Sequence, residues 1–262
     1  MSENLSQPQY LYKYKSLKDK FTKKIITDNE LYFNSPANFN DPYDCNIPED
    51  SDFPDENIRV LIPQEYKTRD RIIKEIQKNP LLLPERLKQY IKKSGICCFS
   101  KQHDAMLMWT HYANSHTGIC LKFDTAEDSE FFKNPLDVNY SEEAPFFDYH
   151  GKIQEEIEKF VITKFKTWQY EEEVRIFKNA TEINDNNKDN NANKNSSSKN
   201  KQQRIFQFKS EALQEIIFGV RTTEKDMEKI EKLCEKSGKN HVKFSKMKLK
   251  EGIYYGLEKV DL

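Results

Sequence analysis

Glycine is scarce in this chain, with seven residues in 262. The sequence contains no GxGxxG run and no GxxxxGK(S/T) run, which excludes the glycine-rich loops that commonly bind dinucleotides and nucleoside triphosphates. An HExxH zinc motif and a GxSxG nucleophile turn are also missing, so the metalloproteases and hydrolases defined by those motifs are excluded. Any nucleotide chemistry in this protein must therefore use a site of another kind.

Paired cysteines are missing as well. The five cysteines are scattered and no two form a CxxC pair, which disfavours a disulfide framework and a structural zinc site. His111 and His116 stand on either side of an expected helix-to-strand break, so we expect no metal site. The polar N-terminus and the lack of a long apolar run predict a reduced, cytoplasmic protein without a membrane partner.

Net charge is nearly absent, because Lys and Arg total 42 and Asp and Glu total 43. A near-neutral chain gives no support for broad electrostatic binding of nucleic acid, although a local basic groove stays open. Hydrophobic residues make up 36% of the chain, and seventeen Phe with thirteen Tyr supply much of the apolar area for a core. The composition leaves the oligomeric state open.

One dense stretch runs from Met108 to Cys120. Met106, Trp109 and Ala113 have the spacing of a helical face, and the following Thr117–Phe123 segment alternates like a half-buried strand. A short helix that enters a strand, with two histidines near the junction, can hold a reactive site or form a well-packed corner. The residue pattern favours the two interpretations equally.

A second dense stretch lies between Lys164 and Phe177. Val174 and Ile176 alternate with charged residues, which is the periodicity of a strand. Glu171, Glu173 and Arg175 would then share one face. Such a face is either a solvated sheet edge or the wall of a cleft, and both interpretations stay open.

The order of the elements predicts one α+β domain over residues 1–262, with a mixed sheet and peripheral helices. The Asn/Lys/Ser-rich segment 181–204 predicts a disordered insertion, because it has too little apolar area to offset its chain entropy. We expect it at the tip of a hairpin of Val174–Phe177 and Ile205–Phe208. The polar segment Asn38–Asp44 is typical of a structured turn and of a binding loop.

Several short motifs occur together in one order and resemble the bacterial family known as domain of unknown function 2971. They are Leu11-Tyr12-Lys13-Tyr14, Phe39-Asn40-Asp41-Pro42, Cys98-Phe99-Ser100, Met108-Trp109-x-His111-Tyr112-Ala113, His116-x-Gly118-Ile119-Cys120 and Lys164…Trp168-x-Tyr170-Glu171-x-Glu173-x-Arg175. The resemblance extends from about Tyr10 to Gly219. It implies that these motifs belong to one domain, and it implies no activity.

A remoter similarity is to the ADP-ribosyltransferases, which carry His or Arg on a first strand, Ser, Thr or Tyr on a second, and Glu on a late strand. That resemblance places Lys13 at the first position, Ser35 or Tyr32 at the second, and Glu173 or Glu171 at the third. Lys13 departs from the usual His or Arg and cannot form the same forked hydrogen bonds. A carboxylate near the ribose would stabilise the oxocarbenium character that develops when the nicotinamide bond breaks.

We therefore expect an enzyme that consumes NAD as its substrate, in the setting of a bacterial toxin or a phage-defence effector, with a nucleic acid or a protein as acceptor. The expected catalytic residues are Glu173, Glu171 and His111. The expected nucleotide-binding residues are Lys13, Tyr14, Ser35, Asn40, Asp41, Trp109, Tyr112, His116 and Arg175. The alternative is a binding module that holds a small-molecule nucleotide or a nucleic-acid end without turnover, and a third interpretation assigns all these clusters to packing.

Overall fold

A computed structural model of the chain describes residues 8–46, 82–145, 153–185, 204–252 and 255–262, with three isolated helical positions between 71 and 78. The strands are β1 Tyr10–Lys15, β2 Glu30–Tyr32, β3 Gly95–Ser100, β4 Ile119–Asp124, β5 Leu136–Asp137, β6 Asn139–Ser141, β7 Thr163–Phe165, β8 Glu173–Lys178, β9 Ile205–Gln207, β10 Leu213–Phe218, β11 Lys243–Leu249 and β12 Leu257–Asp261. The helices with defined ends are α1 Lys20–Thr27, α2 Leu82–Lys93, α3 Met106–Tyr112, α4 Ile153–Ile162, α5 Ala180–Asp185 and α6 Glu224–Lys236.

Eight of these strands form one mixed sheet, in the order β12-β11-β10-β4-β1-β3-β8-β5. Strands β10 and β11 are parallel, and α6 lies between them in sequence because a parallel pair needs a crossover connection. Two further pairs, β2-β9 and β6-β7, form small separate sheets. The α+β fold with a mixed sheet that the sequence predicted is confirmed.

Helix caps follow the local sequence. Asp19 caps α1 by accepting a hydrogen bond from the Phe21 N–H at 2.9 Å, and Thr223 caps α6 by accepting from the Asp226 N–H at 3.2 Å. Both side chains satisfy a donor that has no partner inside the helix. In α1, the buried positions Ile25 and Ile26 then face the sheet.

The sheet opens between β1 and β3. Strand β1 has six register pairs with β4, whereas its register with β3 contains the single pair Tyr12 and Ser100. Beyond this pair, the Lys13 Nζ donates to the Cys98 carbonyl at 2.7 Å, so a side chain takes the place of a backbone donor. The separation of the two strands leaves room for a cavity.

An aromatic core fills one face of the sheet. Phe99, Phe123 and Phe132 pack in edge and tilted contacts, with ring centroids between 5.7 and 5.9 Å apart. Leu11 and Val174 are fully buried in the same cluster. A core rich in phenylalanine is the expected solution for a chain with so few aliphatic residues, because each ring removes a large area from water.

The predicted hairpin around the insertion is wrong. Strand β9 pairs with β2, and β8 pairs with β3 and β5. The predicted disorder is also wrong at the start of segment 181–204, where α5 is formed. Ile183 is 3% exposed in the core and the Asn179 Oδ1 accepts from the N–H groups of Thr181 and Glu182, so one apolar contact and one cap hold this turn. Residues 186–203 lie outside the described part of the chain.

Among the described residues, no helix has the length and apolar character needed to cross a membrane.

Candidate functional site

The loop after β2 places the Asp44 carboxylate in the protein interior. A short 3₁₀ turn, Pro36–Asn38, begins it, and the Asp41 Oδ1 accepts from the Tyr43 N–H at 2.9 Å. This aspartate turn bends the chain locally. It leads to Asp44, whose side chain is 3% exposed, so the loop delivers a negative charge to a buried position.

Arg175 on β8 forms an ion pair with the Asp44 carboxylate. Its Nη1 and Nη2 donate to the two Asp44 oxygens at 2.8 and 2.7 Å, and its Nε and Nη2 donate to the two Glu173 oxygens at 2.8 and 3.0 Å. The remaining Nη1 hydrogen goes to the Val161 carbonyl at 2.5 Å. All five N–H groups of this fully buried guanidinium are thus satisfied, which is the condition for burying arginine without a large penalty.

Lys164 on β7 contacts the carboxylates of Glu171, Glu173 and Asp44. Its Nζ donates to the Glu171 Oε2 at 2.5 Å and to the Glu173 Oε2 at 3.1 Å, and it lies 3.8 Å from the Asp44 Oδ2. Burial alone would lower the pKa of Lys164, but the charges of Glu173 and Glu171 raise the pKa above the ordinary lysine value. Lys164 is therefore a permanent cation in the cluster.

Glu171 and Glu173 are close together, but the pKa values of their carboxyl groups shift in opposite directions. Burial acts to raise the pKa of Glu173, yet the Arg175 and Lys164 charges bring this pKa down to about 2. Burial raises the pKa of Glu171 above its usual value, and the Lys164 charge only partly opposes that rise. Glu173 is thus held as an anion, while the pKa of Glu171 is shifted toward the protonated form, so Glu171 takes up a proton more readily than Glu173.

The side chain that holds Glu171 comes from α3. The Tyr112 hydroxyl donates to the Glu171 Oε1 at 2.6 Å. Three residues earlier on the same helix, Trp109 is fully buried and its indole N–H donates to the His103 carbonyl at 2.7 Å. Anchoring one face of a seven-residue helix in this way fixes the direction of Tyr112.

A cavity of about 670 Å³ lies at the opening between β1 and β3, within the size range of sites for small molecules. The carboxylates of Asp44, Glu171 and Glu173 line it together with Lys164. Its aromatic wall consists of Tyr12, Tyr14, Phe21, Tyr32, Phe39, Phe99, Tyr112 and Trp168. Since Glu171 and Glu173 are buried at the cavity, the cleft interpretation of their face is supported, and the solvated-edge alternative is wrong.

The structure brings together seven of the residues that the sequence proposed for the site. Those that line the cavity are Lys13, Tyr14, Asn40, His111, Tyr112, Glu171 and Glu173, and Tyr32 lines it as well. Ser35 does not line the cavity, and its hydroxyl donates to the Lys92 carbonyl at 2.6 Å. Asp41, Trp109, His116 and Arg175 are also absent from the cavity wall, since the contacts above direct Asp41 into its turn, Trp109 into the core and Arg175 into the ion pairs.

His116 belongs to the packed corner between α3 and β4. It has a positive φ of 69°, and its carbonyl accepts from the Arg221 N–H at 2.9 Å. A Cβ on Gly219 would lie 2.2 Å from that same carbonyl oxygen, so only glycine allows this approach. The His116-x-Gly118 motif therefore carries a close backbone contact in this structure.

Asp44, Lys164 and Trp168 line the cavity but were not among the site residues proposed from the sequence. The turn-rich loop and the second dense stretch contained them, so a signal was present. What the sequence could not show is that Asp44 pairs with Arg175, because this contact joins positions that are 131 residues apart. The contacts of Lys164 with Glu171 and Glu173 lie within one short segment of the chain.

The fold and the site define an α+β protein with a buried ion-pair cluster beside a cavity of ligand size. Within the chain, residues 108–176 match the family model described as "Protein of unknown function (DUF2971)". The match covers less than half of the chain and extends from α3 to β8, so it includes Tyr112, Lys164, Glu171, Glu173 and Arg175. It supports the resemblance to this family of unknown function.

No curated protein and no solved structure matches the chain. The resemblance to ADP-ribosyltransferases is accordingly without support from these comparisons.

Proposed function

We propose that the cavity binds NAD and that the protein breaks the bond between nicotinamide and ribose, as an ADP-ribosyltransferase-like enzyme. The observation that carries this proposal is the Tyr112–Glu171–Lys164 arrangement at the wall of the cavity. A carboxylate held by two donors can stabilise positive charge on a ribose ring as it develops in the transition state. The cavity also supplies aromatic rings on which a base or nicotinamide can stack.

The step balances with the groups present. The C1′–N bond breaks and its electron pair stays on the ring nitrogen, so neutral nicotinamide leaves. An acceptor hydroxyl, an acceptor amine or water adds to C1′ and releases a proton. The raised pKa of Glu171 suits it to accept that proton, and Glu171 rather than Glu173 is therefore assigned the catalytic role.

Glu173 is assigned a positioning role. Both of its oxygens already accept from Arg175, and one also accepts from Lys164. A carboxylate with so many donors has little capacity left for a ribose hydroxyl. It serves instead to hold Lys164, which in turn holds Glu171.

The test is nicotinamide release from NAD, measured by mass analysis, with and without cell lysate as a source of acceptor. Glu171→Gln should reduce release by about 100-fold, the lower range of general acid–base contributions. Glu172→Gln is the matched control, because Glu172 is the exposed neighbour and its change removes the same charge outside the cluster. Equal release from parent and Glu171→Gln would refute the catalytic assignment.

A second candidate is a nucleotide-binding module without turnover. It is favoured by the engagement of Lys13 with the Cys98 carbonyl and of Ser35 with the Lys92 carbonyl, because two positions of the enzyme resemblance are then occupied by backbone contacts. Saturable NAD binding in calorimetry, with no nicotinamide formed even in lysate, would establish this function. Measured turnover would exclude it. The bacterial toxin or phage-defence setting, and the nucleic-acid or protein acceptor, belong to the enzyme proposal.

A further inference from the structure

The buried cluster at the cavity contains one more acid than base. Its acids are Asp44, Glu171 and Glu173, and its bases are Lys164 and Arg175, all joined by contacts of 4 Å or less. Within the described part of the chain, no other basic side chain lies within that distance of these carboxylates. Among the described residues, Glu171 is the least compensated of the three acids, because its one basic contact is Lys164 at 2.5 Å and this cation is shared with Glu173 and Asp44. Arg175 binds both other carboxylates through two hydrogen bonds each.

A buried carboxylate without a full counter-charge either takes a proton or attracts a cation. The described residues include no group of three or more side chains suited to hold a metal ion, and Lys164 already lies between the carboxylates. The Tyr112 ring, whose hydroxyl donates to Glu171, lines the same cavity, whereas the rings of Phe39 and Trp168 already lie against Arg175 and Lys164. Aromatic faces beside a carboxylate favour an organic cation, which gains both Coulomb and cation–π attraction.

A buried hydroxyl adds a second requirement for the ligand. Ser100 is fully buried, lines the cavity and stands opposite Glu173 in the β3–β8 register. Its Oγ accepts from the Gln102 N–H at 3.2 Å, while its own O–H has no acceptor among the described residues. A buried donor of this kind requires an acceptor, which the ligand can provide.

We propose that this end of the cavity binds a planar organic cation bearing a hydrogen-bond acceptor, namely the pyridinium carboxamide of oxidised NAD. Glu171 neutralises the ring charge and the Ser100 hydroxyl donates to the carboxamide oxygen. The choice of NAD rests on the function proposed above, whereas the preference for a cation rests on the charge excess alone. A guanidinium group satisfies the first requirement but offers no acceptor to Ser100.

The experiment compares 1-methylnicotinamide, which is cationic, with nicotinamide, its neutral counterpart, by titration with NMR detection of the ligand. The parent protein should bind 1-methylnicotinamide about tenfold more tightly than nicotinamide. Glu171→Gln should bring the two affinities close together, and this variant retains two acids and two bases in the cluster. Glu172→Gln should keep the parent preference. Equal affinities in the parent, or no binding of either compound, would overturn the proposal.

Two further arms define the ligand. Ser100→Ala should weaken 1-methylnicotinamide several-fold but leave 1-methylpyridinium, which lacks the carboxamide, unchanged. Methylguanidinium binding as tight as that of 1-methylnicotinamide would contradict the assignment to a pyridinium. Because no arm requires turnover, cation preference without nicotinamide release would refute only the enzymatic function, and release without cation preference would refute only this inference.

Discussion

Two buried carboxylate clusters lie on the same face of the large sheet and differ in their balance of charge. In the first cluster, Glu215 on β10 is the acid and two lysines are the bases. Its Oε1 accepts from Lys259 at 2.6 Å, and its Oε2 lies 4.0 Å from the Lys122 Nζ. The Glu171 cluster at the other side has three acids and two bases. The first cluster is away from the cavity wall and the second forms part of it.

The comparison separates a structural charge from one available to a ligand. Burial acts to raise the pKa of Glu215, but the hydrogen bonds from Lys259 and Ser245 bring it below the usual value, so this carboxylate stays ionised and needs no further partner. Burial raises the pKa of Glu171 although Lys164 lies 2.5 Å from its Oε2, so a further cation in the cavity would favour the ionised form. Burial of a charge is therefore by itself no sign of function, whereas burial with an unmet charge at a cavity is one.

The largest expected effect concerns the base that holds the acid-rich cluster together. Arg175→Met should lower the free energy of unfolding by about 3–5 kcal/mol, because Asp44 and Glu173 would be left buried without their partner. Lys259→Met in the other cluster should cost less than about 1 kcal/mol, since its side chain is 28% exposed. Denaturation by urea, with the slope compared between variants, measures both.

If Arg175→Met cannot be obtained folded, Arg175→Lys serves in its place, because it keeps the charge and loses the double hydrogen bonds. If Arg175→Met and Lys259→Met lowered the free energy of unfolding by similar small amounts, the two clusters would not differ as described.

The next effect is a contrast in pH dependence. The Glu215 pKa is depressed in the folded state, so its stabilisation is present above the unfolded pKa of about 4.3 and is lost as the pH falls through the folded value. The Glu171 pKa is raised, so its stabilisation is present below about 4.3 and is lost as the pH rises through the folded value. Glu215→Gln should therefore be destabilised by about 1–2 kcal/mol at pH 8, and Glu171→Gln by less than about 1 kcal/mol.

Urea unfolding at pH 4 and pH 8 checks this contrast. Relative to the parent, the free energy of unfolding of Glu215→Gln should fall by less at pH 4 than at pH 8. That of Glu171→Gln should fall by less at pH 8 than at pH 4. A Glu171→Gln protein that loses most stability at pH 8 would mean that Glu171 is ionised and satisfied in the free protein.

The smallest effect concerns the hydroxyl that holds Glu171. Tyr112→Phe should cost about 1 kcal/mol, because one hydrogen bond to a buried carboxylate is lost. Tyr10→Phe is the control, since the Tyr10 hydroxyl only accepts from the exposed Gln9 amide, and we expect no measurable change. Both values come from the same unfolding series, and equal losses would place Tyr112 among ordinary surface tyrosines.

Much of the local structure could be predicted from the residues. The helix around Met106–Ala113, the strand over Thr117–Phe123 and the strand over Val174–Phe177 appear as α3, β4 and β8, since periodicity acts within a few positions. The shared strand face of Glu173 and Arg175 was also predictable from their spacing, whereas the strand prediction was wrong for Glu171, which ends the 3₁₀ helix Lys166–Glu171. The family resemblance pointed to the same motifs, and residues 108–176 match that family.

Long-range pairing was not predictable in the same way. Strand β9 was expected beside β8 because the two flank one insertion, but it pairs with β2. From the residue pattern alone, a solvated sheet edge and the wall of a cleft were equally good interpretations of the charged face of β8. Exposure of a charged strand depends on what packs over it, and here that includes the Asp44 loop from a distant segment and Lys164 of the preceding strand β7.

By itself, then, the sequence determined the α+β class, most element positions and the absence of the common motif-defined sites, because these depend on composition and on neighbours along the chain. Only the tertiary structure decided that Asp44 and Lys164 meet Glu171, Glu173 and Arg175 beside an opening in the sheet. The reason is physical: pKa, burial and charge balance are set by groups within a few ångströms, and Asp44 and Tyr112 lie 131 and 59 positions from Arg175 and Glu171, which they contact.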